Sequence, residues 1–139
     1  MNKIEWRFSE GKISKSIIEN FEEKMKLKFP QSYVNLVVKA NRATPTPENF
    51  CTKKGTKHVF NYLIDWDENK EDNIISTYNY FSQEHDKSII PFADDPFGNL
   101  ICFNFIDNAK EPSIVFWDHE LDVFHSIKDN FDAFINDLK

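Results

Sequence analysis

The apolar positions along the chain change from a helical spacing to a strand-like spacing and back again. From Ser14 onward, apolar residues recur at intervals of three and four, which predicts an amphipathic helix. A second helix is predicted from Pro30 to about Asn41, because proline suits the first turn of a helix and asparagine tolerates the left-handed geometry that often ends one. Two further helices are predicted, one capped by Asp72 or Asn73 and one at the end of the chain.

Short apolar runs of strand-like length lie among these helices. Residues 89–105, which read IIPFADDPFGNLICFNF, predict two core strands joined by an acidic turn. Residues 113–117 and 123–125 predict two more strands joined by a tight turn. In residues 58–66, the side chains at positions 60, 62, 64 and 66 point one way and those between them point the other, which predicts one partly buried strand. Residues 42–57 combine prolines and a glycine with little periodicity, so they are predicted to form an irregular loop.

Length, charge and cysteine usage limit the class of protein. A chain of 139 residues with 40% hydrophobic content fits one domain over residues 1–139 with a substantial core. The formal net charge of −6 argues against a nucleic-acid partner, which needs clustered lysine and arginine, and favours a basic partner. Cys51 and Cys102 have no CxxC spacing, the N-terminal residues lack the apolar stretch of a signal peptide, and no run is long enough to span a membrane. We therefore expect a reduced, cytoplasmic protein with no membrane partner.

No pattern in the chain carries a recognised catalytic or metal-binding chemistry. The GxSxG and HExxH motifs are absent, and the three glycines are too few for a phosphate-binding loop. Asp65, Asp67 and Asn69 have the first ligand spacings of a calcium loop, but Lys70 stands where that loop needs glycine. The potential metal ligands between residues 118 and 125 lie on a strand, where neighbours point to opposite faces. We expect no catalytic residue, no cofactor and no metal.

Carboxylates and two tryptophans near the ends of apolar segments are the candidates for partner binding. Trp66 and Trp117 each end an apolar strand beside carboxylates, so each is either a lid on the core or an anchor at an interface. The turn at Asp94 and Asp95 is likewise either a solvated hairpin turn or a contact surface. The residues that we assign to partner binding are Asp65, Trp66, Asp67, Glu68, Glu71, Asp72, Asp94, Asp95, Trp117, Asp118 and Glu120.

Several segments follow one another in a characteristic order and spacing along the chain. They are Ile18 with Glu22, Phe29-Pro30-Gln31-Ser32-Tyr33, Ile90-Pro91-Phe92-Ala93-Asp94-Asp95 with Gly98-Asn99, Val115-Phe116-Trp117-Asp118-His119-Glu120, and Ser126 to Leu138. In this order and spacing the chain resembles the SUKH superfamily, the proteins similar to the fungal cell-wall-assembly regulator. The resemblance covers nearly the whole chain, although no single segment is specific. One departure is Asn41-Arg42, where the family usually has Asn-Gly or Asn-Gly-Gly.

The resemblance implies an α+β fold with a central, mostly antiparallel sheet and helices packed against it. For small bacterial members it implies immunity to a polymorphic toxin, often a nuclease, and no catalysis. The expected partner is a cognate toxin with a basic active-site surface, whose toxic domain the chain occludes, and we expect a monomer or a weak homodimer. The alternative is a non-catalytic interaction module that regulates cellular partners.

Overall fold

A computed structural model of the chain describes residues 4–139. These residues form four helices, as the sequence predicts, and nine strands, in the α+β arrangement that the resemblance implies. The helices are α1 (Lys15–Met25), α2 (Gln31–Lys39), α3 (Ile74–Phe81) and α4 (Phe131–Asn136). The strands are β1 (Glu5–Arg7), β2 (Thr44–Thr46), β3 (Asn49–Cys51), β4 (Lys57–Val59), β5 (Tyr62–Leu63), β6 (Ile89–Asp94), β7 (Leu100–Asn104), β8 (Ser113–Asp118) and β9 (Val123–Lys128). Within residues 4–139, none of the helices combines the length and the apolar character that crossing a bilayer requires.

The central element is a five-stranded antiparallel sheet in the order β5-β6-β7-β8-β9. Each strand pairs antiparallel with the next one in the sheet along the chain. The connection from β5 to β6 contains α3, whereas the later strands are joined by turns and a loop without a helix. The predicted hairpin over residues 89–105 is confirmed as β6 and β7. Two small antiparallel sheets, β1-β2 and β3-β4, lie outside it.

The two faces of the central sheet are covered unequally. Phe103 of β7 points to one face, where it packs with the rings of Phe29, Tyr33 and Phe131 from the region of α1, α2 and α4. Cys102 precedes it and points to the opposite face, where it packs with Phe81 of α3 in a smaller cluster. All four helices contribute to the main core, α3 through Ile74 and Tyr78, and α3 also supplies the helical cover of the second face through Phe81.

The main core is built around aromatic rings. Trp66 and Tyr33 are both completely buried, and the indole Nε1 of Trp66 donates a hydrogen bond of 2.8 Å to the Tyr33 hydroxyl oxygen. Phe21 and Phe29 present T-shaped contacts to the Trp66 ring. Burial raises the pKa of Tyr33 above its ordinary value, so the hydroxyl stays neutral.

The ends of the helices follow local hydrogen-bonding chemistry. Ser14 caps α1 by accepting a hydrogen bond from the Ser16 N–H, and Asn73 caps α3 by accepting one from the Ser76 N–H at 2.9 Å. Helix α2 follows Pro30 and ends at Lys39, close to the predicted end.

The left-handed residue after α2 is Arg42, with φ of 62°, and not Asn41 as the sequence suggests. Asn41 is instead buried, and its side chain bonds two other segments of the chain. Its Nδ2 donates to the Glu10 carbonyl at 3.0 Å and to the Asp65 carboxylate at 2.6 Å, and its Oδ1 accepts from the Trp66 N–H at 2.9 Å.

Two predictions for the segment between α2 and α3 are wrong. Residues 42–57, predicted to be irregular, contain β2 and β3 and the first residue of β4. Residues 58–66, predicted to be one strand, divide between β4 and β5, which belong to different sheets. Phe60, Leu63 and Ile64 are all buried, so residues on both faces of this segment contact the core. The alternation of side chains along the segment therefore does not show where one sheet ends and the next begins.

Candidate functional site

The candidate site is an open groove of about 600 Å³ between α3 and the turn-bearing end of β7 and β8, called the α3 groove below. The residues before and within α3 form one wall, the strand ends form the other, and the β6–β7 and β8–β9 turns contribute the rim. The lining residues are Glu71, Asp72, Ser76, Thr77, Tyr80, Phe81, Glu84, His85, Gly98, Leu100, Trp117, His119 and Asp122.

A row of side chains across all five strands leads into this groove. Tyr62 of β5 faces Asp94 of β6, which faces Leu100 of β7, which faces Trp117 of β8, which faces Phe124 of β9. Directly opposed residues of antiparallel strands present their side chains to the same face of a sheet. Leu100 and Trp117 line the groove, so Asp94, Tyr62 and Phe124 lie on the same face of the sheet as the groove.

Two side chains, Asp122 and His85, fix the position of Trp117 through consecutive hydrogen bonds. The Trp117 Nε1 donates to Asp122 Oδ1 at 2.7 Å, and the same oxygen lies 2.7 Å from His85 Nε2. The other ring nitrogen of His85 lies 2.9 Å from the carbonyl oxygen of Phe81. Both of these partners accept hydrogen bonds only, so His85 satisfies them both as a doubly protonated imidazolium.

The electrostatics agree with a charged histidine. Burial would lower the pKa of His85, but the hydrogen bonds to Asp122 and to the Phe81 carbonyl outweigh that effect and raise the pKa above its ordinary value. The hydrogen bonds from His85 and Trp117 hold the pKa of Asp122 below its usual range. The three groups therefore link α3 to the β8–β9 turn through a charged pair.

The β6–β7 turn is held by the Asp95 side chain. Its carboxylate accepts from the backbone N–H groups of Phe97 and Asn99 and from the Asn99 side-chain amide, each at 2.8 Å. Asn99 Oδ1 accepts in turn from the His119 N–H at 3.0 Å and lies 2.7 Å from His119 Nδ1. These bonds join the two turns that form the rim of the groove.

The burial of three residues contradicts their assignment to partner binding. Asp65, Trp66 and Asp95 are 4%, 0% and 4% exposed, so none of them presents a side chain that a partner can contact. Asp65 and Asp95 accept internal hydrogen bonds, from Asn41 and Asn99 respectively, and Trp66 lies in the aromatic core. Their roles are structural, because the protein interior already satisfies their polar groups.

The other assigned residues reach the surface but do not form one cluster. Glu71, Asp72 and Trp117 line the α3 groove, Asp118 ends β8, and Glu120 lies in the β8–β9 turn beside the groove. Glu68 lines a different depression between α1 and α3, with Phe21 and Lys24. Asp67 is half-buried and accepts a hydrogen bond from the Asn69 N–H. The acidic loop over residues 65–72 is therefore divided between two surfaces.

Asp94 is the assigned residue with the most perturbed acidity. Burial raises its pKa to about 6, against the lowering effect of hydrogen bonds from Tyr62 and Asn61, and the neighbouring Asp95 charge raises it further. Its carboxyl is half-buried in the row that leads to the groove.

Sequence reasoning missed several exposed apolar side chains around the groove. Tyr80 of α3 is 81% exposed, and Phe97 and Leu121 in the two rim turns are 73% and 71% exposed. Tyr80 is off the buried stripe of α3, and this position was a usable signal. His85 and Asp122 gave no signal, because they lie far apart in the sequence and meet only in the fold.

Comparison with known proteins identifies the family. The chain matches the SUKH_6 family, described as SMI1-KNR4 cell-wall, over residues 15–135. The chain belongs to the SUKH family. This family includes toxin immunity proteins, and the matched range contains every residue of the α3 groove.

A relative with a curated description is a prophage protein. The SUKH chain is 40% identical over 76 residues to the SPbeta prophage-derived uncharacterized protein YokK of Bacillus subtilis (strain 168). The match covers 52% of the chain and 36% of YokK, so the similarity spans about a third of the relative's length.

Proposed function

We propose that this SUKH protein is a bacterial immunity protein that binds a cognate polymorphic toxin, a nuclease, and occludes its toxic domain. The observation that carries the proposal is membership of a family that includes toxin immunity proteins, over residues 15–135. In this proposal the chain acts by binding in the cytoplasm, without catalysis and without a cofactor.

The surface chemistry supports a protein partner with basic character. Exposed apolar side chains surround the α3 groove, and such patches on folded domains commonly mark interaction surfaces. A nuclease carries positive charge where it holds phosphates, so an acidic protein is attracted to that region and competes for it. The formal net charge of −6 contributes the long-range part of this attraction.

The family description supports a second candidate function. The matched family is described as SMI1-KNR4 cell-wall, and this description favours a non-catalytic module that regulates cellular partners. This candidate uses the same binding surface but requires no toxin.

Co-expression separates the two functions. The test pairs the chain with the toxin domain encoded in the neighbouring reading frame, in its active form for growth and in a catalytically inactive form for binding. We expect the chain to restore growth and to co-elute with the inactive domain as a stable complex. Absence of both rescue and complex contradicts the immunity function. Rescue without a complex contradicts occlusion.

A further inference from the structure

We propose that the α3 groove is the toxin-binding site and that it binds a protruding arginine-bearing loop of the partner. The inference rests on the proposed function and adds to it the location of the interface and the chemistry of the segment that it binds. It is carried by the charges of the groove, by its exposed aromatic rings and by the rigidity of its walls.

The charged side chains of the groove are suited to a cation. Four carboxylates line it, those of Glu71, Asp72, Glu84 and Asp122, and among its described lining residues none is lysine or arginine. The positive charge of His85 is paired with Asp122, which leaves the other three carboxylates without an ion-pair partner among the residues that the structure describes.

Other depressions on the surface have a different charge pattern. The one between α1 and the β7–β8 loop combines Glu19 and Glu23 with Lys26 and Lys110. Those beside β9 and α4 combine lysines with Asp129. In each of these depressions a cation meets both positive and negative side chains. In the α3 groove the charged side chains, apart from the histidines, are all carboxylates.

The aromatic rings favour arginine over lysine. Trp117 lines the groove with its edge held by Asp122, and Tyr80 lines the facing helix with most of its ring exposed. A guanidinium is planar, stacks on aromatic faces and binds carboxylates through two parallel hydrogen bonds, whereas an ammonium does neither in the same geometry. A groove that offers both rings and carboxylates is therefore better matched to arginine.

The walls of the groove are held in place before any partner arrives. The His85–Asp122–Trp117 bonds tie α3 to one rim turn, and the Asn99–His119 bonds tie the two rim turns together. Binding to a rigid site avoids the entropy cost of ordering it. Carboxylates beside aromatic rings also present the two features that a nuclease recognises in its substrate, negative charge and flat rings. A loop that leaves the phosphate-binding surface of the toxin to enter this groove can no longer hold nucleic acid.

Charge-neutralised variants test the location of the site. The groove variant is E71Q/D72N/E84Q, and the matched control is E19Q/E23Q/D107N, which removes three exposed acids outside the groove. Association with the inactive neighbouring toxin domain is measured by stopped-flow over a range of salt concentrations. We expect the groove variant to associate about 10-fold or more slowly at low salt with a weaker salt dependence, and the control to stay within about 2-fold of wild type.

A second pair of variants tests the aromatic contact. Tyr80→Ala should raise the dissociation rate about 10-fold or more, because exposed aromatic anchors dominate binding energy. Phe8→Ala removes another exposed aromatic, 75% exposed and outside the groove, and should leave that rate unchanged. Circular dichroism and melting temperature show that each variant is folded.

Chemical protection tests for arginine. Phenylglyoxal modifies accessible arginines, and mass spectrometry of the inactive toxin domain should show at least one arginine protected by wild-type protein and exposed with the groove variant. If the wild-type protein forms a complex whose association and dissociation rates change neither in E71Q/D72N/E84Q nor in Tyr80→Ala, this inference is overturned while the immunity function stands. The same holds if the wild-type complex protects no arginine. If wild-type protein forms no complex, the immunity function itself fails, and the inference fails with it.

Discussion

The hydrogen bond between Trp66 and Tyr33 makes a quantitative prediction about stability. Tyr33→Phe removes a hydroxyl that accepts from the Trp66 Nε1 at 2.8 Å, in a site where both residues are 0% exposed. The substitution keeps the ring and its contacts but leaves the indole N–H buried without an acceptor. Such a donor costs about 1–3 kcal/mol.

The corresponding change in melting temperature follows from chain length. With an unfolding entropy of about 2.1 cal/mol/K per residue, a chain of 139 residues loses roughly 3–10 °C for that cost. Thermal and urea unfolding, followed by circular dichroism, measure it. We expect the urea midpoint to fall with an unchanged denaturant slope, because the unfolded chain exposes the same surface.

The matched control is Tyr80→Phe, which removes a hydroxyl from a side chain that is 81% exposed. It should change stability by less than about 0.5 kcal/mol. In a Trp66→Phe background the cost of Tyr33→Phe should shrink, because the donor is gone. If Tyr33→Phe and Tyr80→Phe are equally stable, the buried hydrogen bond does not contribute as argued here.

Three further predictions concern groups at or near the groove. Asp122→Asn should lower the pKa of His85, which NMR can measure. Because the pKa of His85 is raised in the folded protein, the His85–Asp122 pair stabilises the fold fully below the ordinary histidine pKa. This stabilisation is lost as pH rises through the raised value. Asp94→Asn should raise the melting temperature at pH 7.5 but leave it unchanged near pH 3. The pKa of Asp94 is about 6 in the folded protein and lies above the ordinary value of 3.8. The folded state therefore binds a proton more tightly than the unfolded chain does, and the stability of the wild-type protein falls as pH rises between those two values. Gly98→Ala should cost about 1–2 kcal/mol in urea unfolding, because φ is 89° and the new Cβ lies 3.3 Å from His119; no loss of stability contradicts the strain.

Local patterns predicted the elements whose signals are local. The apolar spacing and the capping residues located the helices, and the turn residues between two apolar runs located the β6–β7 hairpin. The three-residue strands β2 and β3 escaped detection, because three residues are too few to establish a period.

The candidate site was less predictable because burial is decided by tertiary packing. Trp66 and Trp117 have the same local context, an apolar strand followed by acids, yet the first is covered by α1 and α2 and the second lies at the groove. Asp94 and Asp95 are adjacent in sequence, yet the first is half-buried in the cross-strand row and the second stays inside its own turn. No local pattern distinguishes the members of these pairs.

The unequal cover of the two sheet faces separates the residues that maintain the fold from those available to a partner. The aromatic core between the sheet, α1, α2 and α4 contains none of the side chains proposed to bind the toxin, and Tyr80, Phe97 and Leu121 contribute little buried surface to it. If the proposed binding surface is correct, substitutions at these exposed positions change recognition at small cost in stability. On that proposal, a lineage of such proteins acquires new partners by altering one helix face and two turns, without redesign of the interior.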